Sequence, residues 1–239
     1  MTETLYLTDA YLKEFDATVT SIDAENHAVI LDQTGFYPGG GGQNPDMGKL
    51  IADDTEYSVK RAKKQSGDII HIIDGDSLPE IGTKVHGVID WEKRYEAMRT
   101  HTAMHILCGV IWRDFEVSVT GGDMGYLEGR MDFEFDELSR ETIADIEEAI
   151  NSEIAAGRDV KVDILPRKEA FQIPDLIRTK INLLPEGINE VRTIEIVGLD
   201  LQADGGTHVH NTSEVGKIVI TDYKSKGKGN KRLYIKIED

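Results

Sequence analysis

A change of period at Asp90-Trp91 limits the possible folds more than any other feature. Before it, apolar residues do not recur every three or four positions. Residues 1–90 instead hold short β-branched or aliphatic runs at 17–22, 28–31, 57–61, 68–73 and 84–89, with polar turns such as Asp74-Gly75-Asp76 between them. Several short strands with no helical period point to a small closed barrel, which leaves no strand edge unpaired. After the break, residues 92–115 read as one helix. Ala97, Met98, Ile106, Val110 and Ile111 are mixed there with Glu, Lys and Arg, and no Pro interrupts them.

Beyond that helix, 116–120 and 129–135 read as strands around Gly121-Gly122. Residues 138–156 form a second helix, in which Ile143, Ile146, Ile150 and Ile154 make one apolar stripe and Gly157 is placed to end it. Strands are expected at 159–164, 191–197, 215–223 and 232–237, and 167–190 is less regular. No βαβ repeat is present. The expected fold class is therefore α+β: a β-barrel over 1–90, then an α+β domain with a mostly antiparallel sheet over 91–239.

Two separated stretches carry metal-type chemistry. His101 and His105 are four apart on the long helix, so they stand roughly 40° apart on one face, where two imidazoles can meet one ion. A zincin is excluded, because Thr102 stands where that motif needs Glu as general base. Cys108, the single cysteine, shares the same face and reads as a small core residue or, alternatively, a thiolate ligand. The second stretch runs from Asp200 to Val209. Gly205-Gly206 there suggests a tight loop that carries His208 close to another backbone. Asp204 precedes His208 by four, with Asp200 and Gln202 nearby. His210 reads as a surface histidine.

The formal net charge of −17 opposes nucleic-acid binding unless the cations cluster or salt screens the repulsion. They do cluster, at 60–64 and, more densely, at Lys224, Lys226, Lys228, Lys231 and Arg232. Glycines interleave the second group, so backbone amides can join the lysines against phosphate. Gly39 to Gly42 lack a following Gly-Lys-Ser/Thr and do not form an NTPase phosphate loop. One cysteine excludes an intramolecular disulfide framework, which fits the cytosol. No apolar run approaches a membrane span and no signal-peptide pattern opens the chain.

His101-x-x-x-His105 together with Gly205-Gly206-Thr207-His208-Val209 resembles the editing domain of alanyl-tRNA synthetase and, more closely, its free-standing AlaX-type relatives. Phe36-Tyr37-Pro38-Gly39-Gly40-Gly41-Gly42-Gln43, with Asp46 and Gly48, is similar to the glycine-rich motif of the longer members. The segment 225–232 is similar to the basic stretch that closes the editing domain. The matches fall in the family's order and span nearly all of the chain. Two positions depart from the synthetase pattern: Asp204 stands at its zinc-ligating Cys, and Val119 stands near its Gln.

The resemblance implies a cytoplasmic aminoacyl-tRNA hydrolase that removes serine, or glycine, from alanine tRNA without ATP. It implies Zn2+ at His101, His105 and His208, with Asp204 as a fourth ligand, a ligand through water or a base, and with Asp204 and Thr207 as catalytic residues. Thr102, Gly39, Gly40, Gly41, Gly42, Gln43, Lys226, Lys228, Lys231 and Arg232 are its implied contacts to substrate or tRNA.

Overall fold

The computed structural model describes residues 1–174, 176–178 and 187–239, and the chain divides into two compact units, Met1–Tyr95 and Glu96–Asp239. Part of the less regular stretch expected at 167–190 lies outside the described residues.

The first unit is a closed six-stranded barrel. Its strands are β1 (Glu14–Asp23), β2 (Ala28–Leu31), β3 (Gly48–Ala52), β4 (Thr55–Gln65), β5 (Asp68–Asp74) and β6 (Lys84–Ile89). They pair antiparallel in the order β1-β2-β5-β4-β3-β6, and β6 closes on β1. Alternation sets which side chains point inward. Phe15, Ala17 and Val19 of β1 are buried at every second position, as a strand with one wet face requires. They join Val29, Leu31, Phe36, Leu50, Val59 and Ile69 in one core. Each large side chain buried in this way contributes roughly 1.5–3 kcal/mol. Gly87 has a packing role here: a Cβ on it would lie 2.5 Å from the Phe15 ring. Strand β3 was not foreseen, because five residues starting with Gly48-Lys49 show too little β-branching to stand out.

The glycine loop between β2 and β3 is held from below by one buried ion pair. Arg94 is 1% exposed. Its guanidinium donates to the Asp46 carboxylate, to Ala10 O at 2.8 Å and to Gly35 O at 2.6 Å. Asp46 in turn accepts from the Tyr37 amide at 2.5 Å. Tyr37 Oη donates to Gly40 O at 2.9 Å. Asp46 therefore anchors this loop from inside the unit.

Helix α1 (Trp91–Phe115) crosses the division between the units. The second unit continues with β7 (Val119–Met124), β8 (Glu128–Phe133), α2 (Arg140–Ala155), β9 (Val160–Pro166), β10 (Glu190–Ile196), β11 (Asp200–Ala203), β12 (Lys217–Gly227) and β13 (Asn230–Glu238). Two antiparallel sheets result, β12-β13-β8-β7 and β9-β10-β11. Ser139 caps α2 by accepting from the Thr142 amide, and Gly157 ends it with φ +61°. The first strand of this unit starts later than expected and runs on through Gly121-Gly122 to Met124, so both glycines lie within β7. The neighbourhood is tight: Met104 Cε lies 3.8 Å from a Cβ built on Gly122, and Met104 Sδ only 2.9 Å from one on Gly129. No helix among the described residues is long and apolar enough to cross a membrane.

Candidate metal centre

Helix α1 supplies two donors, one turn apart. Ala97, Met98, Ala103, Ile106, Leu107, Val110 and Ile111 are all buried, so the middle of α1 is surrounded by protein and its histidines are buried too. His101 is 4% and His105 7% exposed, and their rings lie 5.2 Å apart between centroids. The chain returns to this face through β11. His208 places its ring 4.2 Å from His101 and 4.8 Å from His105. Asp204 Oδ1 is 2.9 Å from His208 Nε2 and 3.5 Å from His101 Nε2. The donor atoms of all four residues fall within 4.8 Å of one another.

The local turn differs from the one expected. Gly205 is outside the left-handed region, and a Cβ on it would meet open space. The Asp204 side chain makes the turn by accepting from the Gly206 amide at 3.0 Å. One carboxylate thus shapes the loop and faces the imidazoles.

Electrostatics prepare the group for a cation. Burial pushes His101 down to about 4, helped by the charges of His105 and Arg192 and opposed by Asp204. His208 lies well below its ordinary value, first from burial and then from the His101 charge. Both are therefore neutral near pH 7 and keep a lone pair to donate. His105 moves upward. Burial, the largest influence, would lower it, but the hydrogen bond and charge of Asp200, with the charge of Asp204, outweigh that. The Asp204 carboxyl sits well below the usual range; burial opposes this, and the three imidazoles overcome it. Three imidazoles and one carboxylate, buried and convergent, form a nitrogen–oxygen donor set that suits zinc.

The other sequence candidates divide clearly. Cys108 is buried, its thiol is pushed up by burial, and its sulfur accepts from Gln202 Nε2 at 3.4 Å outside the donor group. Its reading as a core residue holds. His210 is exposed. Thr102 is buried: Oγ1 lies 3.3 Å from His208 Nδ1 and accepts from the Val209 amide at 3.2 Å. Thr207 is buried as well.

In the first unit, Gly39, Gly40, Gly41 and Gly42 have φ of +80°, +132°, +58° and +89°, so the loop requires glycine at all four. Gly40 to Gly42 are exposed, and Gln43 is 3% exposed. Lys226 and Lys228 stand exposed around the turn from β12 to β13. Lys231 Nζ donates to Phe135 O at 3.3 Å, and Arg232 grips Asp132 with two bonds of 2.6 and 2.7 Å.

Two contributors escaped the sequence reading. Arg192 on β10 donates to the Asp204 carbonyl at 3.0 Å and lowers His101 and His105. Asp200 stood out only by its nearness to the motif. Asp200, Gln202 and Asp204 alternate, and a strand at 200–203 would have put the first two on one face.

Residues 4–93 match the family described as tRNA synthetases class II (A), and residues 191–234 match the threonyl and alanyl tRNA synthetase second additional domain. The chain is 40% identical to the alanyl-tRNA editing protein AlaX-M of Methanosarcina barkeri, over 100% of both. It is 41% identical to the protein of the same name from Saccharolobus solfataricus, again over 100% of both. An alanine–tRNA ligase of Ignicoccus hospitalis is 38% identical over 92% of this chain and 24% of its own length. Both matched segments are domains of a kind found in tRNA synthetases. The chain itself belongs to the AlaX-M family of alanyl-tRNA editing proteins.

Proposed function

We propose that this chain hydrolyses the ester joining a wrong amino acid to the terminal adenosine of alanine tRNA, with serine as the main amino acid removed and glycine as a second. Zn2+ is held by His101, His105, His208 and Asp204. The observation that carries the reading is the convergence of these four donors within 4.8 Å in a buried position. The relatives matched over their full length bear the name alanyl-tRNA editing protein, and this supports the substrate class.

A zinc ion in such a site supplies a Lewis acid and lowers the pKa of water. The chain's own residues do the rest. His101 and His208, held neutral by burial, present lone pairs toward one point. Asp204 adds the negative charge that a dication requires. Asp204 and Thr207, on the same short loop as His208, are assigned to contact the ester. Lys226 and Lys228, exposed at the hairpin turn, are assigned to phosphate, with Lys231 and Arg232 behind them. Gly39 to Gly42 and Gln43 are assigned to RNA positioning. Ester hydrolysis needs no ATP. Selectivity follows from a polar site: a group that hydrogen-bonds the serine hydroxyl is left unpaired by alanine, which costs about 1–3 kcal/mol.

The test is deacylation of serylated and alanylated alanine tRNA, with and without a chelator. Loss of serine with alanine spared, abolished by the chelator and restored by Zn2+, is the expected result. Equal, chelator-insensitive rates on both would overturn the proposal.

A further inference from the structure

We propose that Asp200 is a positioning residue for the metal centre: it fixes the His105 ring, with hydrogen on Nδ1, so that Nε2 is the atom offered to the ion. This rests on the metal-site reading above.

The geometry is specific. Asp200 opens β11, and its side chain is 0% exposed. Oδ2 accepts from His105 Nδ1 at 3.0 Å and from Gln202 Nε2 at 2.7 Å. Oδ1 faces Arg178, whose Nε lies 3.7 Å away and whose guanidinium sits 4.6 Å over the Trp112 ring. A carboxylate so placed only accepts, so it selects the imidazole tautomer that donates from Nδ1. The lone pair then resides on Nε2. An outer carboxylate of this kind typically holds a ligating histidine in orientation and raises its basicity; losing it costs about 10–100-fold in metal affinity.

The backbone is shaped to permit this contact. Gly109 lies on α1 four residues beyond His105, on the same face. A Cβ there would come within 3.0 Å of Asp200 Cβ and 3.0 Å of Leu199 Cγ. Glycine is a poor helix former. Its presence in mid-helix is explained by the approach of the strand that carries Asp200. His208 has a weaker counterpart, the Thr102 hydroxyl at 3.3 Å from Nδ1.

The experiment measures zinc affinity by competition with a chromophoric chelator, together with the visible spectrum of the cobalt-loaded chain. The proteins are wild type, Asp200→Ala, Asp200→Asn and Gly109→Ala. The 15N imidazole spectrum of each metal-free protein reports the His105 tautomer. The expected outcome is about 10–100-fold weaker zinc binding for Asp200→Ala, with a smaller loss for the isosteric Asp200→Asn. Gly109→Ala, which leaves every donor in place, weakens binding too. Wild-type His105 carries hydrogen on Nδ1, and Asp200→Ala loses that preference. Affinities within twofold of wild type and an unchanged His105 spectrum would overturn the proposal. A wild-type chain that binds neither metal would instead defeat the metal-site reading, while the metal-free spectrum still decides whether Asp200 sets the tautomer. Should Asp200→Ala fail to fold, Asp200→Asn and Gly109→Ala carry the same decision.

Discussion

Replacing Arg94 by Met tests the structural logic beneath the glycine loop. The wild-type guanidinium is buried and serves three acceptors: the Asp46 carboxylate, Ala10 O and Gly35 O. Met fills similar space and removes every donor. Breaking a buried pair by deleting one partner costs about 3–5 kcal/mol, because the remaining charge is left uncompensated. Each stranded carbonyl adds about 1–3 kcal/mol, less whatever water recovers. A loss of at least about 3 kcal/mol is therefore expected, set against a total of about 5–15 kcal/mol for an ordinary domain. Urea denaturation gives the loss, and amide exchange in β1 to β6 assigns it to the barrel. The double variant Arg94→Met with Asp46→Leu removes the stranded charge and should recover part of the loss. It should not recover all of it, since Ala10 O and Gly35 O have lost the Arg94 donors. A single-variant loss under about 1 kcal/mol, or a double variant no better than the single, would refute the argument.

The zinc content of the purified chain should fall from about one per protein to near zero in His101→Ala or His208→Ala; elemental analysis that finds full occupancy in either rejects the donor set. Asp132→Asn should lower stability by about 1–2 kcal/mol at pH 7, given a bidentate charged bond between buried Asp132 and half-buried Arg232. The Asp132 carboxyl is held low by its hydrogen bonds to Arg232 against the opposing effect of burial. Its contribution is therefore present above the unfolded value of about 3.9 and lost as pH falls through the lower folded value. Melts from pH 7 to 2.5 should show the two proteins converging in acid, and a constant gap would contradict this. Lys226→Ala with Lys228→Ala should weaken tRNA binding and flatten its logarithmic salt dependence by about 2 units; an unchanged slope places the phosphate elsewhere.

The readability of the chain followed the range of the interactions involved. His101 and His105 were legible because helical spacing is local, and no long-range contact is needed to put them on one face. That His208 joins them was suggested by the glycines before it and strengthened by motif resemblance, since more than a hundred residues intervene. The four glycines at 39–42 were visible, and their left-handed backbone explains them. Gly205 misled: the turn there comes from the Asp204 carboxylate and not from glycine freedom. Gly121-Gly122 hid the far end of β7, because two glycines carry no side-chain pattern to mark a strand. Arg192 stayed hidden, and Asp200 was noted without a role, because both act on partners far along the chain.

All four donors, along with Asp200 and Thr102, come from Glu96–Asp239. The candidate donors thus belong to one unit, and a substitution confined to Met1–Tyr95 removes none of them. The Ignicoccus hospitalis ligase aligns with 92% of this chain, barrel residues included, over only 24% of its own length.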